Sequence, residues 1–268
     1  LTWVYRHIDL AFYVGSANKR YFEWAGLSED QLVLAPHAVD NEYFMRDDEA
    51  RRAAAMELRQ SLGISFSAVV FLFVGKLEPK KQPVQLGRAF LQLAKVELNR
   101  EMHLVYIGTG ALGQQLKAEF GGIDNIHMLG FINQSQMPIH YRLGNFVCLP
   151  SIGPGETWGL VINEAMACGC LPVVPGGGPT NDFIPDEIGL KIPVSQKNVS
   201  ISDPGIFAMK PGDAMTRMST HTFINEPSGQ HLEQLLKYVY HHHNKQDLYK
   251  KLDDISMKNT WDYVVDMY

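Results

Sequence analysis

Cysteine is scarce in this chain: Cys148, Cys168 and Cys170 are the whole supply, and all three sit in apolar runs. An odd number without framework spacing excludes a disulfide scaffold. It reads as buried thiols in a reducing compartment, so the expected localisation is cytoplasmic. Basic charge is not in excess either: 24 Lys and Arg against 29 Asp and Glu leave a net charge of −5, with both signs interspersed. That balance excludes a broad basic face for nucleic acid and an acidic, solvated tail, so any anion site must be local. No stretch approaches about 18 consecutive apolar residues, and no basic segment precedes an apolar core at the N-terminus, so no membrane span is expected. Internal repeats and low-complexity tracts are lacking too. The chain opens at Leu1 and enters patterned sequence at once, which suggests a fragment whose upstream part lies elsewhere.

What is present is a hydrophobic content of 46% over 268 residues, ample for a buried core. Strand and helix patterns alternate through the first 190 residues or so. The run 68–75, AVVFLFVG, is apolar throughout, as a parallel strand buried on both faces must be. The helix pattern that follows has an apolar stripe at Val84, Gly87, Phe90 or Leu91, Ala94 and Leu98. HLVYIG leads into GALGQQLKAEF, NIHMLGFI into SQMPIHYRLG, and FVCLPS into TWGLVINEAMACG, before LPVVP. This alternation predicts an α/β fold with a doubly wound, parallel, Rossmann-like sheet, whose βα loops share one edge. Upstream, LAFYVG and LVLAP read as strands around a helix that Ser16 can cap and Gly26 ends. Residues 37–44 read as an interdomain hinge. Residues 195–229 show no period and read as a long loop or insertion; helical spacing returns from His231.

Two carboxylates stand out on the ligand edge. Glu156 precedes a predicted helix start and Glu164 falls in that helix's second turn, so they flank a terminus whose free N–H groups attract anions. A carboxylate accepts two hydrogen bonds at once, which suits the vicinal hydroxyls of ribose and hexose. The ordinary alternative is that Glu156 complements the helix dipole and Glu164 is a surface acid. On the exit of the 68–75 strand, Lys76 and Lys81 are spaced to close on one diphosphate and to neutralise a departing leaving group; ordinary solvated lysines are the alternative. Lys80 is less constrained. GTGALG at 108–113 fits a G-x-G-x-x-G pattern between strand and helix. A dinucleotide site then needs an acid at the end of the next strand, where Gly130, Phe131 and Ile132 stand instead, so nicotinamide binding is not expected.

Together these segments resemble the C-terminal domain of GT-B-fold family 4 glycosyltransferases over roughly residues 10–193. The carriers are Glu156-TWGLVIN-Glu164 running into EAMACG-x-PVV, FVGKLEPKK, IGTGALGQQL, IHMLGFINQSQMPIHY and VGSANKRYFEWAGLSEDQLVLAPHAVDNEYF, in the family's order. The resemblance implies that Lys76 and Lys81 bind the diphosphate of a UDP-, GDP- or ADP-sugar and Glu164 its ribose. Glu156 would touch the transferred sugar. Backbone N–H groups of Trp158, Gly159 and Leu160 would meet the phosphates, and the loop Gly130, Phe131 and Ile132 the nucleobase edge. Lys76 stands where many members have Arg, and Asp182 is a loose match to an acid after a Gly/Pro turn. Residues 1–44 would be the remnant of the acceptor-side N-terminal domain with the hinge, and 45–268 the nucleotide-sugar-binding domain. The implied reaction is retaining, metal-independent transfer to a glycan, lipid or polysaccharide-precursor acceptor, without a cofactor, in a protein whose absent half can bring it to a membrane surface. A sugar-nucleotide epimerase of the same fold and a non-catalytic nucleotide-sugar-binding module are the rival readings.

His241, His242 and His243 are consecutive, so on a helix they point apart and cannot converge on one ion. The aromatics of NTWDYVVDMY fit a terminal helix packed on a core. Asn133-Gln-Ser135 and Asn198-Val-Ser200 are glycosylation acceptors only in a secretory chain.

Overall fold

A computed structural model describes residues 2–46, 49–97, 101–152, 156–184, 190–192, 194–198, 223–227 and 236. The elements run α1 (Thr2–Tyr5), β1 (Ala11–Tyr13), α2 (Ser16–Ala25), β2 (Leu32–Leu34), α3 (Asn41–Met45), α4 (Glu49–Ser61), β3 (Val69–Val74), α5 (Pro83–Val96) and β4 (Met102–Ile107). They continue with α6 (Gly113–Phe120), β5 (Ile126–Gly130), α7 (Met137–Tyr141), β6 (Phe146–Cys148), α8 (Leu160–Ala167), β7 (Leu171–Pro175), β8 (Leu190–Ile192), β9 (Val194–Asn198) and β10 (Phe223–Pro227).

The central sheet has six strands in the order β5-β4-β3-β6-β7-β8, and every neighbouring pair is parallel. Numbered within the sheet this is 3-2-1-4-5-6, the doubly wound order in which the chain reverses direction between its first and fourth strands. Here that switch point lies between β3 and β6. All six residues of β3 and all six of β4 are buried, each large apolar side chain contributing about 1.5–3 kcal/mol. Phe71 stacks on Phe146 across the switch point at 5.2 Å. Helix α5 buries Val84, Leu86, Gly87, Ala89, Phe90 and Leu93. The expected stripe is met at Val84, Gly87 and Phe90, continues in the half-buried Ala94 packed on the core, and its last member, Leu98, lies outside the described residues. Leu86 and Leu93 join it because this helix lies against the middle of the sheet and covers more than one stripe.

The upstream piece forms its own parallel pair, Ala11↔Leu32 to Tyr13↔Leu34. Helix α2 starts on Gly15 with no side-chain cap of its own and ends on Gly26 at φ 103°; Ser16, expected to cap it, is its first residue. The expected hinge at 37–44 is partly helical: Asp40 accepts the Tyr43 N–H over 2.8 Å and starts α3, whose Phe44 is buried against Tyr141. Within the expected insertion, β9 and β10 pair antiparallel, Val194↔Pro227 to Asn198↔Phe223. Residues 199–222 lie outside the described residues, as do His241 to His243 and Trp261. Cys148 and Cys170 are buried free thiols and Cys168 is half-buried. Among the described residues, no helix is long and apolar enough to cross a membrane.

Candidate functional site

Every strand of the sheet ends on the same edge, and backbone contacts knit the loops there. Gly75 N–H donates to Ile107, Leu77 N–H to Thr109, Leu112 N–H to Leu77 and Gly108 N–H to Gly130. The glycines of the GTGALG run have a packing reason for being glycine. A Cβ on Gly108 would stand 2.0 Å from the Gly75 carbonyl oxygen, and one on Gly110 would stand 2.6 Å from the Leu77 backbone. They let the loop after β4 press onto the loop after β3, so the pattern that mimics a dinucleotide fingerprint builds the wall behind Lys76.

Lys76 lies exposed just past β3. Five residues on, Lys81 closes a short 3₁₀ turn, Pro79–Lys81, whose C-cap Gln82 takes φ 51°. Gln82 is the only non-glycine with positive φ among the described residues, and such backbone strain is characteristic of functional loops. Its side chain is buried and Oε1 has no partner among the described residues. Ile152 N–H donates to the Lys80 carbonyl over 2.7 Å, fastening the loop after β6 to this turn across the switch point. Glu156 of the same loop forms a short, largely buried ion pair with Lys81. Lys80 instead pairs with Glu78 in its own turn at 3.5 Å, in keeping with its looser role.

Helix α8 begins at Leu160 behind Gly159, whose φ of 92° needs glycine, and it has no side-chain cap and no acid in its first turn. Trp158 is buried, stacked on Phe183 at 4.8 Å and edge-on to His37 at 6.1 Å. Its side chain belongs to the core, where the indole Nε1 has no partner among the described residues. The two acids fall on opposite sides of the α8 start. Glu156 shares a narrow recess with Ser151 and Thr180. Glu164 opens on a cavity of about 480 Å³ lined by Ala38, Asp40, Tyr43, Gln134, Ser135 and Leu160, among others. Burial raises the Glu164 pKa, against the pull of hydrogen bonds from Tyr141 and Gln134.

The structure thus joins Lys81 to Glu156, leaves Lys76 exposed at the exit of β3 without joining it to either, and puts Glu164 and Leu160 together on a separate cavity. Gly130, Phe131 and Ile132 reach the same edge at the end of β5, but Phe131 projects into solvent and Ile132 packs on the core. Gln134 and Ser135 of the same loop line the cavity instead. Asp182 sits in a 3₁₀ turn after β7 and accepts the Ser16 N–H over 2.8 Å. Sequence reasoning missed Tyr141, whose hydroxyl donates to Glu164 over 2.7 Å; its only signal was a polar-tipped aromatic at the end of a predicted helix.

The sequence profile of the glycosyl transferases group 1 family matches residues 55–199. A D-inositol 3-phosphate glycosyltransferase of Geodermatophilus obscurus is 34% identical over 159 residues, covering 56% of this chain and 33% of that enzyme. The chain therefore spans about a third of that relative's length. Among solved structures, Anabaena HepE in complex with UDP aligns with a TM-score of 0.70 at 19% identity, covering 98% of this chain and 62% of that one. A glycosyltransferase from Rickettsia africae aligns with a TM-score of 0.71 at 17% identity, covering 99% and 64%. At such identities the structural likeness speaks for the fold, which is that of the GT-B glycosyltransferases.

Proposed function

This chain belongs to the glycosyl transferases group 1 family, and from that premise we propose that it is the donor half of a retaining hexosyltransferase that uses a nucleoside diphosphate sugar. The observation that carries this reading is the Lys81–Glu156 pair, which joins the loops after β3 and β6 at the switch point of the sheet, together with Glu164 on a nucleoside-sized cavity; Lys76 on the same β3 loop and the uncapped start of α8 complete the proposed site. The diphosphate lies between the two lysines and the α8 N–H groups. There it receives positive charge that grows in value as the sugar–phosphate bond breaks, so the leaving group is stabilised by side chains and backbone without a metal. Glu164 accepts from the ribose hydroxyls. Glu156, released from Lys81 as phosphate takes its place, accepts from the transferred sugar. The acceptor binds on the other wall of the cleft, to which residues 11–34 contribute the pair β1–β2 and helix α2.

The HepE structure, which holds UDP, makes UDP the first nucleotide to try, with GDP and ADP beside it. Calorimetric titration of the full-length protein with all three is the direct test. Binding of one, weakened when Lys81 is replaced by Ala, supports the reading. No binding of any of them favours a scaffold role. Undiminished transfer by Glu156→Ala removes the sugar contact from the scheme, and turnover of a nucleotide sugar with no acceptor present favours an epimerase.

A further inference from the structure

Glu164 has one oxygen committed and one nearly free. Tyr141 Oη donates to Oε2 over 2.7 Å, from a ring with no exposed surface that packs edge-on to Phe44 at 6.2 Å. The hydroxyl therefore cannot swing away. Oε1 has only a long contact, 3.4 Å, with Nε2 of Gln134, which lines the cavity with it. A carboxylate free to rotate presents its lone pairs in many directions, whereas one pinned at a single oxygen presents the other in one.

We propose that Tyr141 is a positioning residue for nucleotide recognition: its hydroxyl holds Oε2 of Glu164 so that Oε1 is offered to the vicinal hydroxyls of a ribonucleotide in the cavity. This rests on the donor-site reading of Glu164. The same hydrogen bond bears on the charge of the site. The groups around Glu164 are Tyr141 and Gln134, Cys168 at the C-terminal cap of α8 with Arg142 against its sulfur at 3.4 Å, and Asp40 and Tyr43 across the cavity. Burial favours the protonated acid, and the hydrogen bond from Tyr141 leads the effects that oppose it. Losing that bond therefore costs ionisation as well as direction.

The test compares the full-length wild type with Tyr141→Phe, by titrating the nucleotide that binds best among UDP, GDP and ADP across pH 5 to about 8. Tyr141→Phe is expected to weaken binding on the order of tenfold near neutrality. It should also move the acid-side loss of affinity to higher pH, because Glu164 then protonates earlier. Titration of the diphosphate itself is common to both proteins and cancels. Replacing Tyr141 with 3-fluorotyrosine, a stronger donor of nearly the same size, should move the acid-side loss the other way, which keeps the test open if Tyr141→Phe folds poorly. In a Glu164→Gln background, Tyr141→Phe should add little further loss. An acid limb that stays put in both Tyr141 variants, or additive losses with Glu164→Gln, means that Tyr141 only packs and overturns the proposal. Wild type that binds none of the three nucleotides removes the donor-site reading and this proposal with it.

Discussion

At the scale of single residues, the Lys81–Glu156 pair explains why neither partner is readable alone. A buried ion pair gains little net stability because desolvation offsets attraction, so stability alone gives no strong reason for this one, and the proposed donor role supplies one. If phosphate displaces Glu156 from Lys81, then Glu156→Gln should leave diphosphate affinity equal or several-fold tighter while transfer falls by on the order of 100-fold. Weaker diphosphate binding by this variant, measured by calorimetry beside a transfer assay, argues against the exchange. Glu164 carries a second prediction. Its pKa is raised by burial, so the folded state holds its proton more tightly than the unfolded chain. The resulting cost is absent below the ordinary carboxylate range, grows as pH rises through the raised pKa, and stays constant above it. Glu164→Gln should therefore raise the thermal midpoint at neutral pH, by roughly 2–4 °C for each kcal/mol relieved, and lose that advantage in acid. A variant no more stable at pH 7 than the wild type would refute this trade of stability for function.

At the scale of elements, most of the scaffold was legible because its signals are local and repeated. Six-residue apolar strands such as Val69–Val74, and the glycine stop at Gly26 with φ of 103°, are dictated within a few residues. The sixth strand, Leu190–Ile192, escaped notice because three residues give no period. The role of Gly108 and Gly110 escaped for another reason: the atoms they avoid belong to Gly75 and Leu77, a whole βα unit upstream. Gly110→Ala is accordingly expected to destabilise the protein by roughly 1–3 kcal/mol, read by thermal or denaturant unfolding. A neutral result would mean that the loop after β3 yields to the extra methyl and that close packing is not why Gly110 is glycine. On the opposite edge of the sheet, His103 and His127 stack with Nδ1 and Nε2 2.9 Å apart, and His103 Nε2 meets Glu101 at 2.9 Å. Burial, then the neighbouring His103, holds the His127 pKa down. The unfolded chain therefore binds the proton more readily, and stability present above the ordinary histidine range is lost as pH falls through it. His127→Gln should flatten the decline of thermal midpoint between pH 7 and about 5; an unchanged slope would place the titration elsewhere.

At the scale of the whole molecule, what sequence could not supply is how the two ends of the chain meet. Helix α2 lacks a cap from its own segment, and the carboxylate that accepts its first N–H is Asp182, 166 residues away in the turn after β7. The turn also holds Thr180, which lines the Glu156 recess and stands 3.0 Å from where a Cβ on Gly159 would lie. The upstream piece is thus anchored beside the sugar end of the proposed donor site rather than at random on the edge. Gly15 is extended, with φ −170°, so no special backbone freedom explains it. Space does, because a Cβ there would come 2.3 Å from Asp182 Oδ2 and 3.4 Å from the Trp158 ring. These distances make a coupled prediction. Asp182→Ala should cost about 1 kcal/mol through the lost cap, and Gly15→Ala should cost more by forcing the carboxylate away. In combination the second cost should shrink, since the atom in its path is gone and only the looser Trp158 contact remains. Thermal unfolding of the two single variants and the double measures the coupling. Strictly additive costs would mean that Gly15 and Asp182 act separately and that the contact does not govern how the upstream piece seats on the donor half.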